Sequence, residues 1–84
     1  MKIALYQIAY KIGMHPKELA KAVMEGELTG EVFGDDPQSK ESWVDLLSLR
    51  NYIHWLYEKE MITEMSYLRA LRHIDEAIRK QKRS

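Results

Sequence analysis

Three histidines, His15, His54 and His73, are the side chains here best suited to proton transfer or metal binding, and their placement supports neither. They are scattered, and His54 with Glu58 one helical turn later is too common a pair to mark a metal site. The chain has no cysteine, no nucleophile with an evident base and no glycine-rich phosphate loop. No catalysis, metal or cofactor is therefore expected. What remains is the chemistry of charge. Thirteen basic and thirteen acidic residues cancel, which argues against nucleic-acid binding by bulk electrostatics alone. The distribution is uneven, however. Lys2, Lys11, Lys17 and Lys21 face only Glu18 in the first 22 positions, whereas Glu25, Glu27, Glu31, Asp35, Asp36, Glu41 and Asp45 face only Lys40 in the middle. From position 69 onward Arg69, Arg72, Arg79, Lys80, Lys82 and Arg83 outweigh Asp75 and Glu76. The chain is basic at both ends and acidic between.

The elements that must position these charges begin with Leu5 to Phe33. Leu5, Ile8, Ala9 and Ile12 recur at spacings of three and four, the face of one helix, and Gly13 ends it. Pro16 lies just inside a second helix, whose face is Leu19, Ala22 and Val23 and whose end is Gly26. Two helices joined by so short a turn outline a helix-turn-helix, with one helix left projecting. Glu31, Val32 and Phe33 form a strand candidate, Gly34 to Ser42 is a turn by composition, and Trp43, Val44 and Leu46 form a second strand. The resulting hairpin would be a wing.

Ser48 is positioned to cap a third helix with a stripe of Leu49, Tyr52, Ile53 and Leu56, widened by Trp55. Thr63 would cap a fourth, whose apolar face is Tyr67, Ala70, Leu71, Ile74, Ala77 and Ile78. Asp75 with Arg79, Arg72 with Glu76, and Glu76 with Lys80 are oppositely charged and four apart. The sequence thus predicts a mainly α fold with a small β-hairpin. It would be a single domain over 1–84, with helix-turn-helix 3–28, wing 30–47 and C-terminal helices 48–81. Eighty-four residues give only a modest core. No apolar run approaches the roughly 20 residues of a membrane span, and no signal-like segment opens the chain, so a cytoplasmic location is expected.

The order helix, Gly13-x-x-Pro16 turn, helix ending in Gly26-Glu27-Leu28, wing, then a helix after a tryptophan strand resembles the excisionase and MerR-type winged-helix proteins. Asp36-Pro37-Gln38-Ser39, followed by Trp43-Val44, Leu46 and an aromatic-rich helix, looks like the Cox family of temperate phages. The resemblance spans roughly residues 5 to 57. It implies a small DNA-binding regulator that represses transcription, directs excisive recombination and assembles along double-stranded DNA, with an integrase or repressor as a further partner. It also implies that the helix from Pro16 to about Glu25 reads the major groove. His15, Lys17, Glu18 and Lys21 would lie at the DNA, and Ser39, Lys40 and Ser42 would support the wing. Arg79, Lys80, Lys82 and Arg83 would be further phosphate contacts. Met24 and Glu25 stand where many relatives are basic, and the wing carries Asp35, Asp36 and Glu41. Carboxylates near phosphates repel, so single-copy binding would be weak and cooperative assembly would be needed.

Plainer readings stay open beside these. Lys17 and Lys21 would suit a solvated helix face, and Arg79 to Arg83 a frayed charged terminus. The acidic wing is either a soluble turn or a surface that docks on a basic end of a neighbouring subunit. The fourth helix's apolar face reads first as core, with Tyr67, Leu71, Ile74 and Ile78 as the oligomer contacts otherwise. The alternative function is a winged-fold interaction module that binds a partner repressor or recombinase through its acidic surface. A third reading is an all-helical dimerisation domain in which Glu31 to Leu46 is only loop.

Overall fold

Leu5, Ile8 and Ala9 are completely shielded from solvent, and the helix they define runs over Leu5–Lys11 (α1) in the computed structural model, which describes residues 1–83. Gly13, at φ 78°, closes it. The Gly13 N–H bonds the Tyr10 carbonyl at 3.3 Å and the Met14 N–H bonds the Ala9 carbonyl at 2.9 Å, which satisfies two helix-terminal acceptors. Pro16–Met24 (α2) follows after this turn. Leu19, Ala20 and Ala22 pack it into the core. The Glu27 N–H reaches back to the Ala22 carbonyl at 2.9 Å and ends α2 in the same way.

A helix-turn-helix spanning 3–28 omits a strand. Lys2–Ala4 (β1) is extended and pairs antiparallel with Trp43–Asp45 (β3), which also pairs with Gly30–Glu31 (β2). The sheet order is β1–β3–β2, so the expected hairpin is two strands of three. Three residues are too few to show strand alternation, and in sequence they merge into the period of α1. Gly30 is where β2 meets β3 most closely: a Cβ there would lie 2.4 Å from the Trp43 carbonyl oxygen, so no side chain fits. The expected strand over Glu31–Phe33 stops at Glu31. Phe33–Asp35 instead form a tight turn, closed by the Asp36 N–H on the Phe33 carbonyl at 3.0 Å, with Gly34 and Asp35 at φ 58° and 54°, values no strand accepts.

Leu46 is not the end of the second strand but the first residue of the third helix, Leu46–Glu58 (α3), and it is fully buried. Its cap is also reassigned. Asp45, not Ser48, supplies the capping oxygen, accepting the Ser48 N–H at 2.9 Å. The Ser48 hydroxyl accepts the Thr29 N–H at 2.9 Å and thereby ties α3 to the segment before β2. Leu49, Ile53 and Leu56 are buried, whereas Trp55 is 40% exposed rather than part of the core. Two residues from Ile53 is about 200° round a helix, the opposite side. Glu60 holds φ 58° where the ends of α1 and α2 use glycine.

Glu64–Arg83 (α4) starts as its sequence indicates, with the Thr63 hydroxyl accepting the Ser66 N–H at 3.1 Å. It runs antiparallel to α3: Arg50 Nε donates to Asp75 Oδ1 at 2.9 Å, and the rings of Tyr57 and Tyr67 stack with centroids 4.1 Å apart. Asp75 therefore bonds across to α3 instead of to Arg79 one turn on, while Lys80 and Glu76 pair at 3.3 Å as their spacing implies. Ile74 and Ile78, named as oligomer contacts, are buried in the core. Tyr67 and Leu71 are half-buried against it, and the Tyr67 hydroxyl lies 2.6 Å from His54 Nδ1. The face is occupied within the chain, as a small domain that lacks apolar area requires. No helix among the described residues is long and apolar enough to cross a membrane.

Candidate nucleic-acid interface

α2 is held from one side. Opposite its buried Leu19, Ala20 and Ala22, the exposed residues are Lys17, Glu18, Lys21 and Met24. Lys17 and Lys21 stand one turn apart, so their ammonium groups belong to one strip of surface. Lys17 lies in the first turn, at the positive end of the helix dipole. His15 is exposed, and its Nδ1 accepts the Lys17 N–H at 3.1 Å, so one ring nitrogen is committed to the cap. Lys21 Nζ is 3.9 Å from Glu25 Oε1 and its side chain is 77% exposed.

The loop between β2 and β3 separates its three proposed contacts. Lys40 is exposed, and Ser39 is half-buried with its hydroxyl accepting the Glu41 N–H at 3.2 Å. Ser42 is no contact at all. Its side chain is fully buried, where the hydroxyl accepts the Phe33 N–H at 2.9 Å and donates to the Asp36 carbonyl at 2.8 Å. It braces the loop from inside. Asp35, Asp36 and Glu41, in the same loop as Lys40, are exposed as well.

The C-terminal basic run is anchored elsewhere. Gln81 Nε2 donates to the Lys2 carbonyl at 2.7 Å and binds the last turns of α4 to β1, with Arg79, Lys80, Lys82 and Arg83 exposed around it. Lys80 shares a cleft of about 260 Å³ between α1 and α4 with Lys11, His73 and Glu76. There the hydrogen bond and charge of Lys80, followed by Lys11 and His73, hold the Glu76 carboxyl below its ordinary value. Lys21 and Lys80 thus line different clefts. One basic residue that the sequence did not mark as a contact lies near the turn between α1 and α2: a methyl group on Gly13 would sit 3.6 Å from the Arg69 guanidinium. Only the packing of α4 across α1 reveals it.

Beside Lys21 lies a groove of about 320 Å³ between α2 and α3. Met14, Ala22, Tyr52, Trp55, Leu56 and Met61 give it an apolar surface, and Glu18, Glu25 and Glu27 line it as well. A second hollow of about 420 Å³ continues it past Glu27, Tyr52 and Trp55 to Ser48 and Asn51. Burial, then the charges of Glu27, Glu18 and Glu25, push the Tyr52 phenol above its ordinary value. Three carboxylates therefore act on one phenol. No family model, curated protein or solved structure matches this chain.

Proposed function

We propose that this chain is a winged helix-turn-helix DNA-binding protein, a regulator and excisionase of the kind its sequence resembles. It would act by occupying and shaping duplex DNA rather than by covalent chemistry. The observation that carries this reading is the presentation of α2. Its inner face is locked into the core while Lys17 and Lys21 project from the opposite side, one turn apart. An α-helix fits the major groove, where lysine neutralises phosphate or donates to guanine. The β2–β3 loop with Lys40 would flank that groove as the wing, and Arg69 would approach the backbone at the helix-turn-helix corner. Two lysines beside Glu18 and Glu25 make a weak single-copy site, so binding in this reading depends on several copies, or on a recombinase or repressor bound alongside.

Titration of fluorescent duplex DNA at several salt concentrations tests it. Lys17→Ala should weaken association and reduce the slope of log affinity against log salt by about one unit. No association with any duplex at low salt would overturn the reading.

A further inference from the structure

The groove between α2 and α3 combines two properties that a surface left to solvent has no need of. Its apolar part includes Trp55, 40% exposed, and Met61, 63% exposed, with the Tyr52 and Trp55 rings stacked at a centroid distance of 6.1 Å. Beside these rings stand the carboxylates of Glu18, Glu25 and Glu27, and Lys21, the one cation among the described residues that line the groove, is already paired with Glu25. Aromatic rings attract cations through their faces, and carboxylates next to them add directed charge. DNA, whose phosphates the glutamates would repel, is a poor occupant of this groove.

We infer that the groove lined by Tyr52, Trp55, Glu18, Glu25 and Glu27 is a docking site for a basic amphipathic segment of another protein. Such a segment would set leucine-like side chains on the Trp55 and Met61 surface and arginine or lysine against the three glutamates. This is the helix-in-groove mode, in which apolar anchors recur every three or four residues. Charge complementarity selects the occupant: the hollow beyond Glu27 extends the same aromatic surface and adds no positive charge, only the side chains of Ser48 and Asn51. The inference is independent of DNA contact through Lys17, but it requires that duplex DNA leave the groove itself uncovered.

The test uses the full chain and a synthetic helical peptide of about 15 residues, four turns, with leucines on one face and arginines flanking them. A control peptide keeps the leucines and replaces each arginine with glutamate. The arginine peptide should shift the Trp55 indole and Tyr52 ring resonances, with an affinity that falls as salt rises, and the glutamate peptide should leave them in place. Glu25→Gln with Glu27→Gln should weaken the arginine peptide roughly three- to tenfold while the free protein's spectrum stays folded. Trp55→Ala should abolish the interaction, and the glutamine pair decides the matter if that variant does not fold. Equal binding of the two peptides, or shifts confined to other surfaces, would overturn the inference. So would concentration-dependent self-association that covers Trp55, or duplex DNA that perturbs the same resonances.

Discussion

Glu25 stands one turn beyond Lys21 on the exposed side of α2, its carboxylate oxygen 3.9 Å from the ammonium nitrogen. An exposed pair of this kind adds at most about 1 kcal/mol to stability. Its larger effect concerns what else the lysine can bind. A phosphate that approaches Lys21 meets the repulsion of Glu25 as well. Glu25→Gln should therefore raise affinity for duplex DNA at low salt roughly two- to fivefold, with little change in stability. Fluorescence anisotropy checks this, and an unchanged affinity would remove this side of α2 from the interface.

Ser42→Ala should damage the fold and not the recognition. It removes the hydroxyl that takes the Phe33 N–H and bonds the Asp36 carbonyl, leaving a part-buried donor without that acceptor. The cost should be about 1–3 kcal/mol, read as a lower urea midpoint with an unchanged slope. DNA affinity of the folded protein should hold. Loss of affinity at full stability would return Ser42 to the binding surface.

Asp45 links acid stability to the start of α3. Its carboxyl lies below the ordinary 3.8, first because the Met1 ammonium bonds it at 2.9 Å and then because it accepts the Ser48 N–H. A folded value below the unfolded one means that the stabilisation is present above the unfolded value and is lost as pH falls through the folded value. Asp45→Asn keeps an amide oxygen for the cap but has no charge to lose, so urea unfolding should show a flatter fall in stability below about pH 4. Asp45→Ala should cost about 1 kcal/mol more at neutral pH than Asp45→Asn, because the cap goes too. Parallel acid limbs in the asparagine variant and the parent would contradict this.

Ile74→Ala should cost about 2–5 kcal/mol, the range for a large buried aliphatic, because the side chain is fully enclosed between α4 and the core. Leu68, on the same helix and 55% exposed, should tolerate alanine within about 0.5 kcal/mol. Thermal unfolding distinguishes the two. A mild Ile74 variant whose association state changed would mean that this face serves another subunit.

The parts of the molecule governed by neighbours in sequence were readable from sequence. The helical spacing of Leu5, Ile8 and Ala9, the closure at Gly13, the Thr63 cap and the Glu76–Lys80 pair all reappear in the structure. Features decided across the chain were not. β1 is defined by its pairing with Trp43–Asp45, and no local pattern of three residues announces that. Ser42 sits in a polar, turn-rich segment and so looks solvent-facing, yet its hydroxyl is the centre of the loop's hydrogen bonding. Asp45 precedes Ser48 by three residues, and both are good caps; only the backbone direction at the end of β3 selects the aspartate. For the candidate site, the Lys17–Lys21 strip follows from helical period, whereas the Tyr52–Trp55 groove and Arg69 above Gly13 require the packing of α3 and α4.

β3 has one partner from nearby in the chain and one from its beginning, and that asymmetry sets a timetable. The Asp45 N–H bonds the Thr29 carbonyl at 2.9 Å, while the next amide, Leu46 N–H, bonds the Met1 carbonyl at 2.8 Å. Closing the short loop costs less chain entropy than recruiting the far end, so the β2 side forms first and the β1 side last. Pulse-labelled hydrogen exchange during refolding should find Asp45 protected before Leu46. Until that final strand arrives, α1 and α2 are tethered at one end only, and the lysine strip has no fixed bearing toward the loop. The lysine strip of α2 is thus among the last features of the molecule to be set in place.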